Sequence, residues 1–190
     1  MSASSEVNIC SNALLLIGSR PIASFSDDGD PALLCSNLWT SVRDAVLRSH
    51  PWNCAMKRLS LSPDVTAPAF DWSYRFQLPG DCLRVWTIGR DTDNPNWEVE
   101  NGFILMDDAL CYIRYVQQLS DVTKYDSMLT LAMISGMAAA LAYPITKSQT
   151  QQKAMIELHD FHLKHARTAD GQEGTGEITV DSPLTLVRGR

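Results

Sequence analysis

The spacing of apolar residues changes twice along this chain, and that change limits the folds open to it. In the N-terminal and C-terminal parts, apolar residues recur every three or four positions, which is the spacing of one face of an α-helix. From Phe70 to Leu78 they alternate with polar residues, which is the spacing of a strand buried on one face. Helical segments on either side of a strand-rich middle predict an α+β fold.

Two helices are predicted in the N-terminal part. The first begins after Ser4 or Ser5, since either side chain can cap the free amides of the first turn, and it ends at Gly18. The second begins with Asp30 as its capping residue and a proline in its first turn, and Pro51 ends it at the preceding residue. Both carry an apolar stripe wide enough to face a core.

Two further helices are predicted after the strands. The third runs from about Lys124 or Tyr125 to Tyr143, where Pro144 ends it, and the fourth runs from about Ser148 to Ala169. The third helix carries small residues that let another helix approach closely, namely Ala132, Gly136, Ala139 and Ala140. Its alanine content and internal polar residues favour a helix buried in a protein core over a membrane span.

The fourth helix has apolar residues on two sides. The stripe predicted to face the core consists of Ala154, Met155, Leu158, Phe161 and His165. Ile156 and Leu163, seven positions apart, lie on a nearly opposite side. This second side predicts either a contact with a neighbouring subunit or two scattered apolar residues on the surface.

The middle of the chain predicts one small antiparallel sheet. A proline and a glycine turn the chain after the first alternating strand, and Leu83 to Ile88 and Cys111 to Val116 supply further strands. Asn101-Gly102 is the strongest short hairpin signal in the sequence. The connections are too short for parallel crossovers, so we expect antiparallel pairing.

The predicted domain organisation is discontinuous. Residues 1–58 and 118–170 form a four-helix bundle, and residues 59–117 form an inserted β domain. Residues 171–190 form an extended C-terminal arm rich in Gly, Thr, Glu and Ser. Its alternating apolar residues, which we predict to bind a partner, are Ile178, Val180, Leu184 and Leu186. Plain disorder at a chain terminus is the alternative.

Charge and cysteine usage bear on the partners and the compartment. Sixteen Lys and Arg against 22 Asp and Glu give a formal net charge of -6. A protein that binds DNA by neutralising phosphates needs the opposite balance, so DNA binding through Arg43, Arg48, Lys57 and Arg58 is the weaker hypothesis. The five cysteines are odd in number and widely spread, as expected for reduced thiols in a cytosol.

Familiar catalytic and cofactor signatures are missing from the sequence. It contains no P-loop, dinucleotide-binding glycine motif, nucleophile elbow, zinc-protease helix or Cys-x-x-Cys pair. His159, His162 and His165 lie three apart on the fourth helix, so the outer two diverge by about 120 degrees and cannot share one metal ion. The sequence therefore predicts no metal site, no cofactor and no enzymatic activity.

Several segments in a fixed order resemble one protein family. The most characteristic is RDAVLRSHPWNCAMKR, from Arg43 to Arg58, and the others are ICSNALLLIG, WSYRFQLPGDCLRV and LAYPIT. Over residues 5–170 the chain resembles the tail tubular protein A family, the head-to-tail adaptors of short-tailed bacteriophages. The family pattern has an aromatic residue after His-Pro-Trp-Asn, where this chain has Cys54.

The resemblance implies a structural protein of the virion tail, located at the junction of portal and tail and assembled in the host cytoplasm. About a dozen copies would form a ring between the portal protein and a tail nozzle similar to tail tubular protein B. DNA would leave through the channel without sequence-specific binding, and no membrane contact is implied. In such proteins a C-terminal arm reaches the portal. The motif residues that we predict to organise the fold are Arg43, Asp44, His50, Pro51 and Trp52.

One enzymatic alternative depends on carboxylates in the middle region. Glu98, Glu100, Asp107 and Asp108 could supply the acid and the base of a glycoside hydrolase. The alternative prediction is a virion-associated hydrolase of the host cell envelope.

Overall fold

A computed structural model describes residues 5–89 and 95–173 of the chain. The helices are α1 (Glu6–Leu16), α2 (Asp30–Arg48), α3 (Ser127–Thr146) and α4 (Gln149–Gln172). The strands are β1 (Met56–Leu61), β2 (Tyr74–Gln77), β3 (Cys82–Ile88), β4 (Trp97–Glu100), β5 (Phe103–Met106) and β6 (Cys111–Gln117). Four helices with two small antiparallel sheets confirm the predicted α+β class.

The four helices share one hydrophobic core, and we call them the helical half. The central helix is α3, which packs against α1, α2 and α4. By length and composition α3 could cross a membrane, but 50% of its apolar window is buried inside the fold, as in a core helix. Side-chain caps fix the starts of α1 and α3: Ser5 Oγ accepts from the amide of Asn8 at 3.1 Å, and Asp126 Oδ1 accepts from the first-turn amides of α3.

Three predicted helix boundaries are wrong. Gly29, with φ 118°, occupies the N-cap position of α2, so Asp30 lies inside the first turn instead of capping it. Pro144 lies within α3, because a proline in the last turn leaves most of the helical hydrogen bonds intact, and the helix ends where Lys147 adopts a φ of 56°. Gly171 is still helical, so the predicted end of the fourth helix near Ala169 and the predicted start of the arm at residue 171 are wrong. The four apolar arm residues lie outside the described residues.

The strands form two sheets where the sequence predicts one. Sheet A has the order β1-β6-β3 and sheet B has the order β2-β5-β4, with every pair antiparallel. The inner faces of the two sheets enclose a second, smaller core, which explains why two sheets form: each buries its apolar face on the other. We call the two sheets the sheet half. The Asn101-Gly102 hairpin is confirmed, and both residues have the positive φ that such a tight turn needs.

The first predicted strand is shorter than expected. Only Tyr74–Gln77 pairs as a strand, because the chain makes a tight turn at Asp71, which has a φ of 66°. The amide of Trp72 donates to the carbonyl of Phe70 at 2.8 Å across this turn, and Phe70 is 76% exposed. β1 begins at Met56, within the segment that the sequence assigns to the helical bundle.

The predicted faces of α4 are partly wrong. Met155, Leu163 and Ala166 pack against the helical core, whereas Phe161, predicted to face inward, is 58% exposed. Leu163 therefore does not lie opposite the core: the inward side of α4 is set by the row of Met155, His159, His162 and Ala166 at helical spacing. Ile156 is 45% exposed, and its role in a subunit interface stays a prediction.

Candidate functional site

The segment that follows α2 is fixed by a buried tryptophan. The chain leaves the helix at Ser49, and Pro51 prevents the helix from continuing. Trp52 is fully buried, and its indole Nε1 donates to the carbonyl of Val46 at 3.0 Å. The His50 ring packs edge-on against the indole at 4.8 Å between centroids. The tryptophan thus anchors the end of α2 at the point where the chain enters sheet A.

The same segment holds the C-terminal end of α4. Asp170 is 5% exposed, and its Oδ2 lies 3.1 Å from His50 Nε2. Its Oδ1 accepts from the backbone amide of Asn53 at 2.9 Å, and its carbonyl oxygen accepts from Asn53 Nδ2 at 2.8 Å. We call His50, Asn53 and Asp170 the Asp170 clasp. It joins two segments more than a hundred residues apart in sequence.

The protonation of His50 suits a clasp that persists at neutral pH. Burial lowers the pKa of His50, and although the Asp170 carboxylate opposes this, the pKa stays below its usual value. A neutral ring donates its Nε2 proton to the carboxylate, which makes a charge-assisted hydrogen bond. The clasp therefore needs no proton uptake to form.

A second polar cluster ties α2 to its neighbours. Arg43 is buried, its Nε donates to Asp44 Oδ1 at 2.9 Å, and its Nη1 lies 3.9 Å from Glu6 Oε1 on α1. Asp44 Oδ2 also accepts from Gln118 Nε2 at 2.7 Å, just after β6. A buried guanidinium needs such partners, because an unpaired buried charge is costly. Arg43 and Asp44 thus connect both N-terminal helices with the chain that returns from the sheet half.

The structure brings the predicted motif residues to the boundary between the two halves. It also adds two residues that the sequence prediction missed, Asn53 and Asp170. The sequence gives one indication that Asp170 has a partner. A carboxylate in the last turn of a helix lies at the negative end of the helix dipole, so it needs a hydrogen-bond donor beside it. That partner comes from a segment too distant in sequence for periodicity to reveal.

The residues of the weaker DNA-binding hypothesis are mostly engaged inside the protein. Arg43 is buried among carboxylates, and Arg48 donates to the carbonyl of Leu83. Lys57 Nζ lies 2.9 Å from Asp81 Oδ2. Arg58 is exposed and makes no ion pair or side-chain hydrogen bond with the residues that the structure describes. The four residues do not form the basic patch that the hypothesis needs.

The thiols and histidines are arranged for packing. Burial raises the pKa of the Cys54 and Cys111 thiols to about 11, so both are protonated at neutral pH and are poor nucleophiles. His159 turns inward, with Nδ1 3.1 Å from the carbonyl of Ala132, while His165 is exposed, which confirms that the outer two histidines diverge. Within residues 5–89 and 95–173, no cluster of three or more His, Cys, Asp or Glu could hold a metal ion.

A cleft of about 270 Å³ lies on the outer face of sheet B, and we call it the sheet B cleft. Glu98 and Glu100 line it together with aromatic residues and Arg75. The aromatic residues are Phe70, Trp72 and Phe103. The other two predicted carboxylates lie elsewhere: Asp107 accepts from Ser73, and Asp108 is exposed outside the cleft. The structure thus brings together two of the four carboxylates of the hydrolase alternative.

Comparison of the chain with protein-family models and with curated proteins finds no match.

Proposed function

We propose that this protein is the structural head-to-tail adaptor of a short-tailed phage virion. In this proposal the helical half is a four-helix bundle with the β domain inserted, and copies of the chain form a ring between the portal protein and the tail nozzle. DNA leaves the virion through the ring without sequence-specific contacts. The residues after Glu173 form the arm that binds the portal.

The Asp170 clasp is the observation that carries the proposal. An arm that binds a distant partner transmits force and orientation only if its base is rigid, and the clasp holds the last turn of α4 through three hydrogen bonds. Two of its residues, His50 and Asn53, belong to the His-Pro-Trp-Asn segment, on which the resemblance to the adaptor family chiefly depends. The most family-like part of the sequence therefore holds the last turn of α4, from which the proposed arm would continue.

Charge supports the proposed channel. A conduit for DNA works best if it does not retain its cargo, and phosphate binding rises with the number of basic contacts. The formal net charge of -6 disfavours such retention.

The test of the arm is a deletion that leaves α4 intact. A chain that ends at Glu173 keeps the whole clasp, so we expect it to fold as the full chain does and to lose portal binding in mass photometry with the portal assembly. A full-length control in which Ile178, Val180, Leu184 and Leu186 are each changed to Ser separates the apolar side chains from the length of the arm. Portal binding that survives the deletion would exclude the arm as the portal contact. A full chain that forms no ring alone or on the portal would exclude the adaptor function itself.

The sheet B cleft favours one second candidate, hydrolysis of a saccharide in the host cell envelope. Aromatic side chains beside two carboxylates are a common lining for a sugar ring and its hydroxyl groups. Zymography on peptidoglycan decides between the two candidates. Clearing by the full chain that disappears in Glu98→Gln or Glu100→Gln, but not in Asp108→Asn outside the cleft, would establish the hydrolase.

A further inference from the structure

The two outer faces of the sheet half point in opposite directions. Phe76, Ile104 and Met106 of sheet B meet Ile113 and Tyr115 of sheet A in the core between the sheets. Because side chains alternate along a strand, the residues between these core positions project from the far side of each sheet. The far side of sheet A is covered in part, because Val116 on that side is buried in the helical core, and its exposed part carries Arg58 and Arg84. The far side of sheet B is the second surface.

The outer face of sheet A is basic. Arg58 and Arg114 are direct cross-strand partners on β1 and β6, and Arg84 lies on the same face of β3. Arg58 and Arg84 are exposed, and the Arg84 guanidinium lies 5.0 Å from the ring of Trp86, which is 39% exposed. A groove of about 520 Å³ runs along this face beside Arg58.

The outer face of sheet B is acidic. Glu98 and Glu100 project from β4 on the same side as Leu105 and Phe103, their cross-strand partners, and both glutamates are exposed. They line the sheet B cleft. Among the described residues that line this cleft, Arg75 is the only basic one, and it already pairs with Asp64 at 3.1 Å. The cleft thus combines uncompensated negative charge with exposed aromatic surface from Phe70.

We infer that the basic outer face of sheet A on one subunit packs against the acidic outer face of sheet B on the next, so that a second copy of this chain is the partner of both faces. This inference rests on the proposed ring and assigns its subunit contact to named residues. Arg58 and Arg84 then meet Glu98 and Glu100 of the next copy. The exposed aromatic residues on the two faces supply the apolar part of the contact.

Geometry and charge favour this partner. Two different, complementary surfaces on one chain make a head-to-tail contact, which closes into a ring when each copy is rotated relative to the last. Surfaces on nearly opposite sides suit a ring of many members, since about a dozen copies need a turn of only about 30 degrees each. Opposite charges also suppress contacts between two like faces, because juxtaposed like charges cost several kcal/mol.

Charge reversal tests the contact in the full chain. One variant carries Arg58→Glu and Arg84→Glu, a second carries Glu98→Arg and Glu100→Arg, and a third carries all four changes. Each single-face variant then has two faces of the same sign, so we expect assembly alone or on the portal to weaken by about a hundred-fold in sedimentation velocity. The variant with all four changes has the charge signs of its two faces exchanged, so we expect it to assemble again.

Mixing the two single-face variants gives the most specific test of the contact. One variant is positive on both faces and the other is negative on both, so each should fail alone and the mixture should form alternating oligomers. A control variant with Arg20→Glu and Asp28→Arg changes exposed charges outside the sheet half and should assemble as the unchanged chain does. Circular dichroism on every variant verifies the fold.

Three results would overturn the inference. Rings that form equally well in all variants would place the subunit contact elsewhere while leaving the adaptor function standing. If neither the mixture nor the variant with all four changes assembles, and the fold of each is intact, the two faces do not meet. If Arg58→Glu with Arg84→Glu assembles normally but loses salt-dependent retention of double-stranded DNA, the basic face serves nucleic acid. By contrast, an unchanged chain that never assembles, even on the portal, refutes the proposed function and this inference with it.

Discussion

The helical half and the sheet half use their apolar residues differently. In the helical half, α3 is surrounded by the other helices, and one hydrophobic core includes residues from Ile9 on α1 to Ala166 on α4. The sheet half has a smaller core between two three-stranded sheets, and Trp86, Trp97 and Phe70 remain exposed. A buried aromatic residue stabilises the fold, whereas an exposed one is available to a partner. The comparison assigns the larger stabilising core to the helical half, and it shows that the exposed tryptophans belong to the sheet half.

The largest expected effect concerns tryptophans of the two halves. Trp52→Ala removes a fully buried indole and its hydrogen bond to Val46, so we expect a loss of about 3 to 5 kcal/mol in the free energy of unfolding. Trp86→Ala, on the sheet half, removes a half-exposed ring and should cost well under about 1 kcal/mol. Urea denaturation measures both. Equal losses in the two variants would remove the distinction between the halves.

The next effect concerns the Asp170 clasp. Asp170→Ala leaves the His50 ring and the backbone amide of Asn53 without their carboxylate partner in a partly buried site, so we expect a loss of about 2 kcal/mol in the free energy of unfolding. Asp160→Ala removes an exposed carboxylate from the same helix and should change stability by less than about 0.5 kcal/mol.

Thermal unfolding and amide exchange in the last turn of α4 check the effect on the clasp. If Asp170→Ala were as stable as Asp160→Ala, the clasp would not secure the helix end, and the rigid base of the proposed arm would be lost. Such a result would also weaken the role given to the His-Pro-Trp-Asn segment.

The contrast between the halves also explains which features were predictable. Helix periodicity, the Asn101-Gly102 hairpin and the start of α1 are local properties, and the sequence shows them directly. The division into two sheets is not local, because it depends on which strands β5 and β6 choose as partners. The Asp170 clasp escaped prediction for the same reason: Asn53 and Asp170 meet only once α4 has packed on α3.

Glycine substitutions sharpen the comparison within the helical half. A Cβ at Gly136 of α3 would lie 3.1 Å from the His159 ring of α4 and 3.4 Å from Val42, so in Gly136→Ala the His159 ring must shift within its packed site, which should cost about 1 to 3 kcal/mol. Gly171 has open space around it in the last turn of α4, and Gly171→Ala should be neutral or stabilise by up to about 1 kcal/mol.

Chemical denaturation of the two glycine variants decides whether close helix approach limits the helical half. If Gly136→Ala gains stability as Gly171→Ala does, α3 and α4 have room to separate. The predicted role of the small residues on α3 would then be wrong.

The smallest effect distinguishes the halves by pH. All four histidines of the chain lie outside the sheet half, and burial lowers the pKa of both His50 and His159 from the usual 6.5. A group with a lowered folded pKa binds its proton more readily in the unfolded chain, so the helical half should lose stability as pH falls below about 6.5. In the sheet half, hydrogen bonds from Thr66 and Arg75 lower the pKa of Asp64 below 3.8, so stability there should fall only below about pH 3.8.

Amide exchange at pH 7.5 and 5.5, corrected for intrinsic rates, should therefore show α3 and α4 losing protection while β5 and β6 keep theirs. His165→Gln, at an exposed position, should leave this difference intact, and equal loss of protection in both halves would contradict the assignment.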